Sequence, residues 1–217
     1  QAPYAACGIV LASNSWGGSP SYGGIAAALG ENLSRHSKEF NNVDVAVCAA
    51  AFADVGIEAR AVPPVLDGGE AVSSSRVRNA LRDGDPQEAA RLLTRPFAIR
   101  GVVQHGDKRG REIGYPTANL PVEHYLRPKY GIYAVTGRIL STGQELKGAA
   151  NIGVRPQFDS PKELLEPYFF DFSGDLYGQE IEVAFHHFLR GEAKFDSLDG
   201  LIAQMEKDCD EARQLLG

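Results

Sequence analysis

The residues best suited to chemistry stand at Gly114-Tyr115-Pro116-Thr117-Ala118-Asn119, directly after the basic, glycine-rich run Gly106-Asp107-Lys108-Arg109-Gly110-Arg111. Pro116 biases Tyr115 toward extended backbone. Residues two apart in an extended segment share a face, so Thr117 and Asn119 offer a hydroxyl and a carboxamide side by side. Mg²⁺ takes oxygen ligands, and in nucleotide sites it draws few from protein and the rest from phosphate and water. Lys108, Arg109 and Arg111 carry the charge to neutralise phosphates, while Gly106 and Gly110 let backbone come close. The pattern points to a Mg-nucleotide site built without the usual G-x-x-x-x-G-K-[ST] loop, which is absent. A Gly/Arg/Lys-rich stretch is also a common solvated turn, so spacing alone leaves both readings standing. Phosphoryl transfer further needs a group to orient or deprotonate the acceptor. Glu166, set among apolar and aromatic residues in Leu164–Phe172, is the candidate, because a carboxylate there is costly unless used or paired. A strand-edge ion pair is the competing reading.

These residues need a scaffold, and 217 residues with 43% hydrophobic content allow one large or two small domains. The net charge of −6 argues against a general nucleic-acid binder, which needs a basic face. Cys7, Cys48 and Cys209 are far apart and form no zinc spacing, which suits a reducing, cytoplasmic setting. His186 and His187, adjacent on a strand, should face opposite sides, one to the surface and one to the core. No apolar run reaches membrane-spanning length and the start of the chain does not read as a signal peptide, so no membrane partner is expected.

Ile25–Leu33 reads as a short helix, Val43–Phe52 as a buried strand or helix, and residues 56–65 as a turn into a strand. Val72-Ser73-Ser74-Ser75 offers capping hydroxyls for a helix over 76–83. Asp85-Pro86 starts another that runs to Leu93. Thr94-Arg95-Pro96 marks the expected domain boundary, dividing a mixed α/β fragment (1–95) from a second domain (96–217). In that second domain strands are expected over 97–104, 131–140, 145–152, 165–172 and 179–189, with short turns between them. Such a series suggests an antiparallel barrel. A helix over 197–216, capped by Asp196 or Ser197, presents Leu198, Leu201, Ile202, Met205, Cys209, Ala212 and Leu216 as one apolar face. Met205 and Cys209 are expected in the core.

Residues 97–217 resemble the riboflavin kinase domain of the bacterial bifunctional riboflavin kinase/FMN adenylyltransferases (FAD synthetases). The resemblance rests on residues 106–119, Gly131-Ile132-Tyr133, Asn151-Ile152-Gly153-Val154-Arg155-Pro156, Asp175-Leu176-Tyr177-Gly178, and Phe188-Leu189-Arg190 through Lys194-Phe195-Asp196-Ser197-Leu198. It implies a small all-β antiparallel Greek-key barrel with a C-terminal α-helix, acting on riboflavin and ATP with Mg²⁺ to give FMN. By position it implies Thr117 and Asn119 as metal ligands and Glu166 as catalytic base. The glycine-rich loop, with Gly114 and Pro116, would cover ATP. Arg155 and Arg190 are candidates for the flavin or phosphate end. Pro167 and Tyr168 follow Glu166 where the family often has Val and His.

Ser73, Ser74, Ser75, Arg76 and Arg78 resemble the adenylyltransferase domain's Ile-Ser-Ser-Thr-Arg-Ile-Arg motif, a second nucleotide site; an ordinary serine-capped helix is the alternative. The family's Gly-x-Phe-Asp-Gly-x-His-x-Gly-His stretch has no match in residues 1–56. The resemblance therefore implies a riboflavin kinase with a partial adenylyltransferase region. The alternatives are a bifunctional enzyme that also makes FAD and a non-catalytic flavin-binding module. Retention of Thr117, Asn119 and Glu166 together argues against the module.

Overall fold

The computed structural model describes residues 65–105, 113–155 and 162–217, together with two short strands, β1 (Ile9–Ala12) and β2 (Glu58–Ala61). The chain divides into two compact units, Gln1–Ser74 and Ser75–Gly217. In the first, β1 and β2 pair antiparallel. A small hairpin joins β3 (Leu66–Asp67) to β4 (Glu70–Ala71) through Gly68 and Gly69, both at positive φ. The segments expected at 25–33 and 43–52 lie outside the described residues.

Two helices come next, α1 (Ser74–Asp83) and α2 (Pro86–Leu93). Gly84, at φ 84°, turns the chain out of α1. The Asp85 side chain then accepts the Glu88 N–H at 2.8 Å, capping α2 as its sequence predicts. Ala80, Leu81 and Ala89 form a small cluster with Phe97 and Leu126 of the neighbouring sheet domain, and the Lys129 N–H donates to the Leu81 carbonyl. Both helices fall almost wholly within the compact unit Ser75–Gly217 and pack on the sheet that follows.

That sheet contains β5 (Phe97–Val102), β6 (Leu120–Pro121), β7 (Gly131–Ile139), β8 (Glu145–Arg155), β9 (Lys162–Phe169) and β10 (Glu180–Arg190). Its strand order is β5-β10-β7-β8-β9-β6, with every pair antiparallel. β10 returns to lie beside β7, which makes a Greek key of β7–β10. The two ends meet where Gln104 bridges Asn119, the Gln104 N–H reaching the Asn119 carbonyl at 2.9 Å. The sheet is thereby drawn into a barrel. Ile99, Leu120, Val135, Ile152, Leu165 and Val183 are fully buried in its interior.

Helix α3 (Leu198–Leu216) packs across β7, β8 and β10 on the barrel's outside. Of the two expected caps Ser197 serves, its hydroxyl accepting the Gly200 N–H. Three expectations need correcting. β9 runs over 162–169 rather than 165–172, because Asp171 adopts a left-handed conformation (φ 53°) and the chain turns at Phe170. His186 and His187 do not split between surface and core. A bulge falls between Phe185 and His187, and both histidines are half-buried. The apolar face of α3 is also divided: Cys209 and Ala212 are buried, Met205 and Leu201 are only half-buried, and Leu198 is exposed.

Candidate active site

Strand alternation gives β9 two different faces. Leu165, Pro167 and Phe169 are buried on the side of the barrel interior, while Glu166 and Tyr168 alternate with them on the outer side. The register sets Glu166 opposite Asn151 of β8, Asn151 opposite Ile132 of β7, and Ile132 opposite Arg190 of β10. On its other side β9 pairs Leu165 with Leu120, and the Ala118 N–H bonds the Pro167 carbonyl at 3.0 Å. The same register places Asn119 next to Glu166. One transverse row, Asn119–Glu166–Asn151–Ile132–Arg190, thus crosses five neighbouring segments. Residues directly opposite in antiparallel strands hold their Cβ atoms roughly 5 Å apart, within reach of shared chemistry. Glu166 is 6% exposed and Asn119 7% exposed.

Above this row, between the sheet and α3, lies a cavity of about 460 Å³. Thr117, Asn151 and Glu166 line its polar side, and Tyr115, Tyr168 and Met205 are among its apolar walls. Tyr115 meets Tyr168 edge-on at 5.1 Å, and burial pushes the Tyr115 phenol above its ordinary value. The cavity also explains Leu201 and Met205: they face its space rather than solid core. Cys209 lines it too, and burial raises that thiol to about 11, which leaves it protonated at neutral pH. A second, smaller cavity of about 70 Å³ is lined by Pro116, Thr117, Pro167, Phe172, Asp175 and Tyr177, among others. Thr117 lines both spaces.

Arg190 lines the larger cavity, with its guanidinium already engaged. Nε and Nη2 grip the buried Asp208 carboxylate at 2.9 and 2.7 Å, and Gln204 donates to the same carboxylate. The ion pair ties α3 to β10. Arg155 ends β8, at the opposite end of that strand from Glu145. Gly114 turns the chain at φ 85° ahead of Thr117, and Pro116 is exposed. Gly106, Lys108, Arg109, Gly110 and Arg111 lie outside the described residues. Among the residues expected to form a second nucleotide site, Arg76 pairs with Glu88 at 3.3 Å and Arg78 donates to the Ser75 hydroxyl at 3.3 Å. Hydrogen bonding from Arg91 holds the Glu88 carboxyl below its ordinary range. Sequence reasoning assigned no site role to Asn151, Glu192 or Asp208, all of which line the larger cavity. Only strand register reveals that Asn151 stands beside Glu166. Asp208 had one readable signal, a charge on the apolar face of α3 beside Cys209.

The family model for riboflavin kinase (flavokinase) matches residues 93–216. The bifunctional riboflavin kinase/FMN adenylyltransferase of Listeria monocytogenes is 42% identical over 166 residues, covering 76% of this chain and 52% of that protein. The Haemophilus influenzae protein of the same description is 46% identical over 142 residues, covering 65% and 46%. A solved Streptococcus pneumoniae structure described as a macrolide-efflux protein is 40% identical with a TM-score of 0.64, covering 70% of this chain and 50% of that one. Among the described residues no helix is long and apolar enough to cross a membrane. The chain spans about half the length of the curated relatives it matches. A family match over more than half the chain, joined to a Greek-key barrel with a C-terminal helix, establishes that this chain belongs to the riboflavin kinase family.

Proposed function

We propose that the chain is a riboflavin kinase, transferring the γ-phosphoryl group of ATP to the terminal hydroxyl of the riboflavin side chain. The observation that carries this reading is the meeting of two cavities at Thr117, with Glu166 on the wall of the larger one. The larger cavity has the volume and aromatic walls suited to a flavin ring. Glu166 takes the proton of the acceptor hydroxyl as its oxygen bonds the γ-phosphorus. The bond from that phosphorus to the bridging oxygen breaks and ADP leaves, so FMN, ADP and the carboxyl proton account for every atom.

Asn119 and Thr117 are the residues that would hold Mg²⁺. Their neutral oxygens are the donors a hard cation accepts, and Asn119 sits beside Glu166 in register. When bound, the cation supplies charge neutralisation for the transferring phosphate. Tyr115 and Tyr168 orient the acceptor by stacking, and α3 excludes water from one side of it.

A second reading, adenylation of FMN to FAD, is favoured by the Listeria alignment. It covers 76% of the chain and so takes in residues ahead of the kinase match that begins at 93. The test is to incubate purified protein with riboflavin, ATP and Mg²⁺ and separate the flavins by chromatography. FMN alone is the expected product, and its absence would reject the kinase reading. FAD appearing after FMN would add the second activity.

A further inference from the structure

Glu192 follows β10 and lines the same cavity as Thr117, Asn151 and Glu166, although nothing in the reaction above uses it. Glu192 is exposed, and its carboxylate lies against a glycine. A Cβ built on Gly153 would lie 2.1 Å from Glu192 Oε1 and 3.7 Å from Asn151 Nδ2. Gly153 sits inside β8 and is not among the positive-φ residues, so its backbone has no need of glycine. What the missing side chain provides is room for the Glu192 carboxylate against the strand that carries Asn151. The backbone beneath Glu192 is fixed as well: Arg190 Nη1 donates to the Gly191 carbonyl at 3.0 Å, while the rest of that guanidinium is locked on Asp208. The Glu192 carboxylate itself makes no hydrogen bond or ion pair among the described residues. Arg190, the one cation among the described residues lining this cavity, is spent on Asp208.

We propose that Glu192 is a specificity-determining carboxylate that accepts hydrogen bonds from the hydroxyls of the substrate's polyol side chain. The inference rests on the kinase reading and deepens it. A carboxylate with open acceptor sites, and with no cation beside it among the described residues but the engaged Arg190, suits neutral hydroxyl donors and repels phosphate. In this cavity it keeps the unphosphorylated polyol against Asn151 and leaves the phosphates to the Thr117 side. A site built to bond hydroxyls also discriminates strongly against an analogue that lacks them.

The test is a flavin fluorescence titration of the full 217-residue chain with riboflavin and with lumiflavin, which has the same ring and a methyl group in place of the polyol. Glu192→Ala is expected to weaken riboflavin at least about tenfold and lumiflavin less than about twofold, with Glu192→Gln in between. Gly153→Ala, which displaces the carboxylate, should shift the two flavins in the same unequal way, its fold checked by thermal melting. Equal loss for both flavins would make Glu192 a mere wall and overturn the proposal, as would no loss for either. Tight riboflavin binding by the wild type with no response in the variants overturns this inference alone. Failure of the wild type to bind either flavin overturns the kinase reading and this inference together.

Discussion

The inner and outer faces of strands β7–β9 are built from alternate residues of one sequence, yet they are opposite in character. Inside, Tyr133, Val135, Ile152 and Leu165 close into an apolar core with essentially no exposure. Outside, the same strands carry Asn151, Glu166 and Tyr168 beneath a cavity of about 460 Å³. A filled interior makes the strand register stiff, and register is what brings Asn119, Glu166 and Asn151 into one row. The comparison teaches a division of labour: inward residues set the register and outward residues line the cavity. Substitutions on the two faces should therefore fail in different ways.

The largest expected effect is on the outer face. Glu166→Gln should lower turnover by about 10²–10⁴ while leaving the melting temperature nearly unchanged, as measured by FMN formation alongside thermal melts. Its inward neighbour should behave oppositely. Leu165→Ala removes a fully buried side chain and should cost about 2–5 kcal/mol in urea unfolding. Turnover per folded molecule should change far less than in Glu166→Gln, and a comparable loss of turnover would erase the division. Asp208→Asn leaves the Arg190 guanidinium, which is mostly buried, without its full counter-charge and should cost up to about 3 kcal/mol. Because that pair joins α3 to β10, flavin affinity should fall with stability.

A smaller effect tests where the unit begins. A fragment starting at Ser75 should unfold cooperatively and melt at least about 5 °C above one starting at Phe97, which lacks the Leu81 and Ala89 cluster. Equal melting temperatures would return the boundary to Pro96. The smallest effect concerns His186. Burial pushes its pKa down, with His187 adding to the shift, so the unfolded chain binds a proton that the folded chain resists. Stability is therefore full above the ordinary histidine value of about 6.5 and falls as pH drops below it. His186→Gln should flatten that slope between pH 7 and pH 5 in urea melts.

Much of this fold was legible because its signals are local. Asp85-Pro86 announces a capped helix, Ser197 announces α3, and the alternation of Ile181, Val183 and Phe185 announces β10. Register is not local, and it decided the remainder. The bulge at His186 shifts the alternation of β10, which turns Phe188 inward to meet Tyr133 edge-on at 5.1 Å. Simple alternation would have sent it outward. Leu201 and Met205 share a helical face with Cys209, and periodicity does not separate a core from a cavity beneath it. The motif residues Thr117, Asn119 and Glu166 could be named from sequence. Their gathering with Asn151 required the pairing of β9 with β8 and β6.

The most direct measurement is a single-turnover reaction of riboflavin with Mg-ATP, comparing wild type and Glu166→Gln, with riboflavin affinity measured on the same samples. Both should bind riboflavin alike, and the variant should form FMN at least about 100-fold more slowly. FMN formed at the wild-type rate by Glu166→Gln would contradict this expectation, because the row beneath the cavity would then hold substrate without carrying the chemistry.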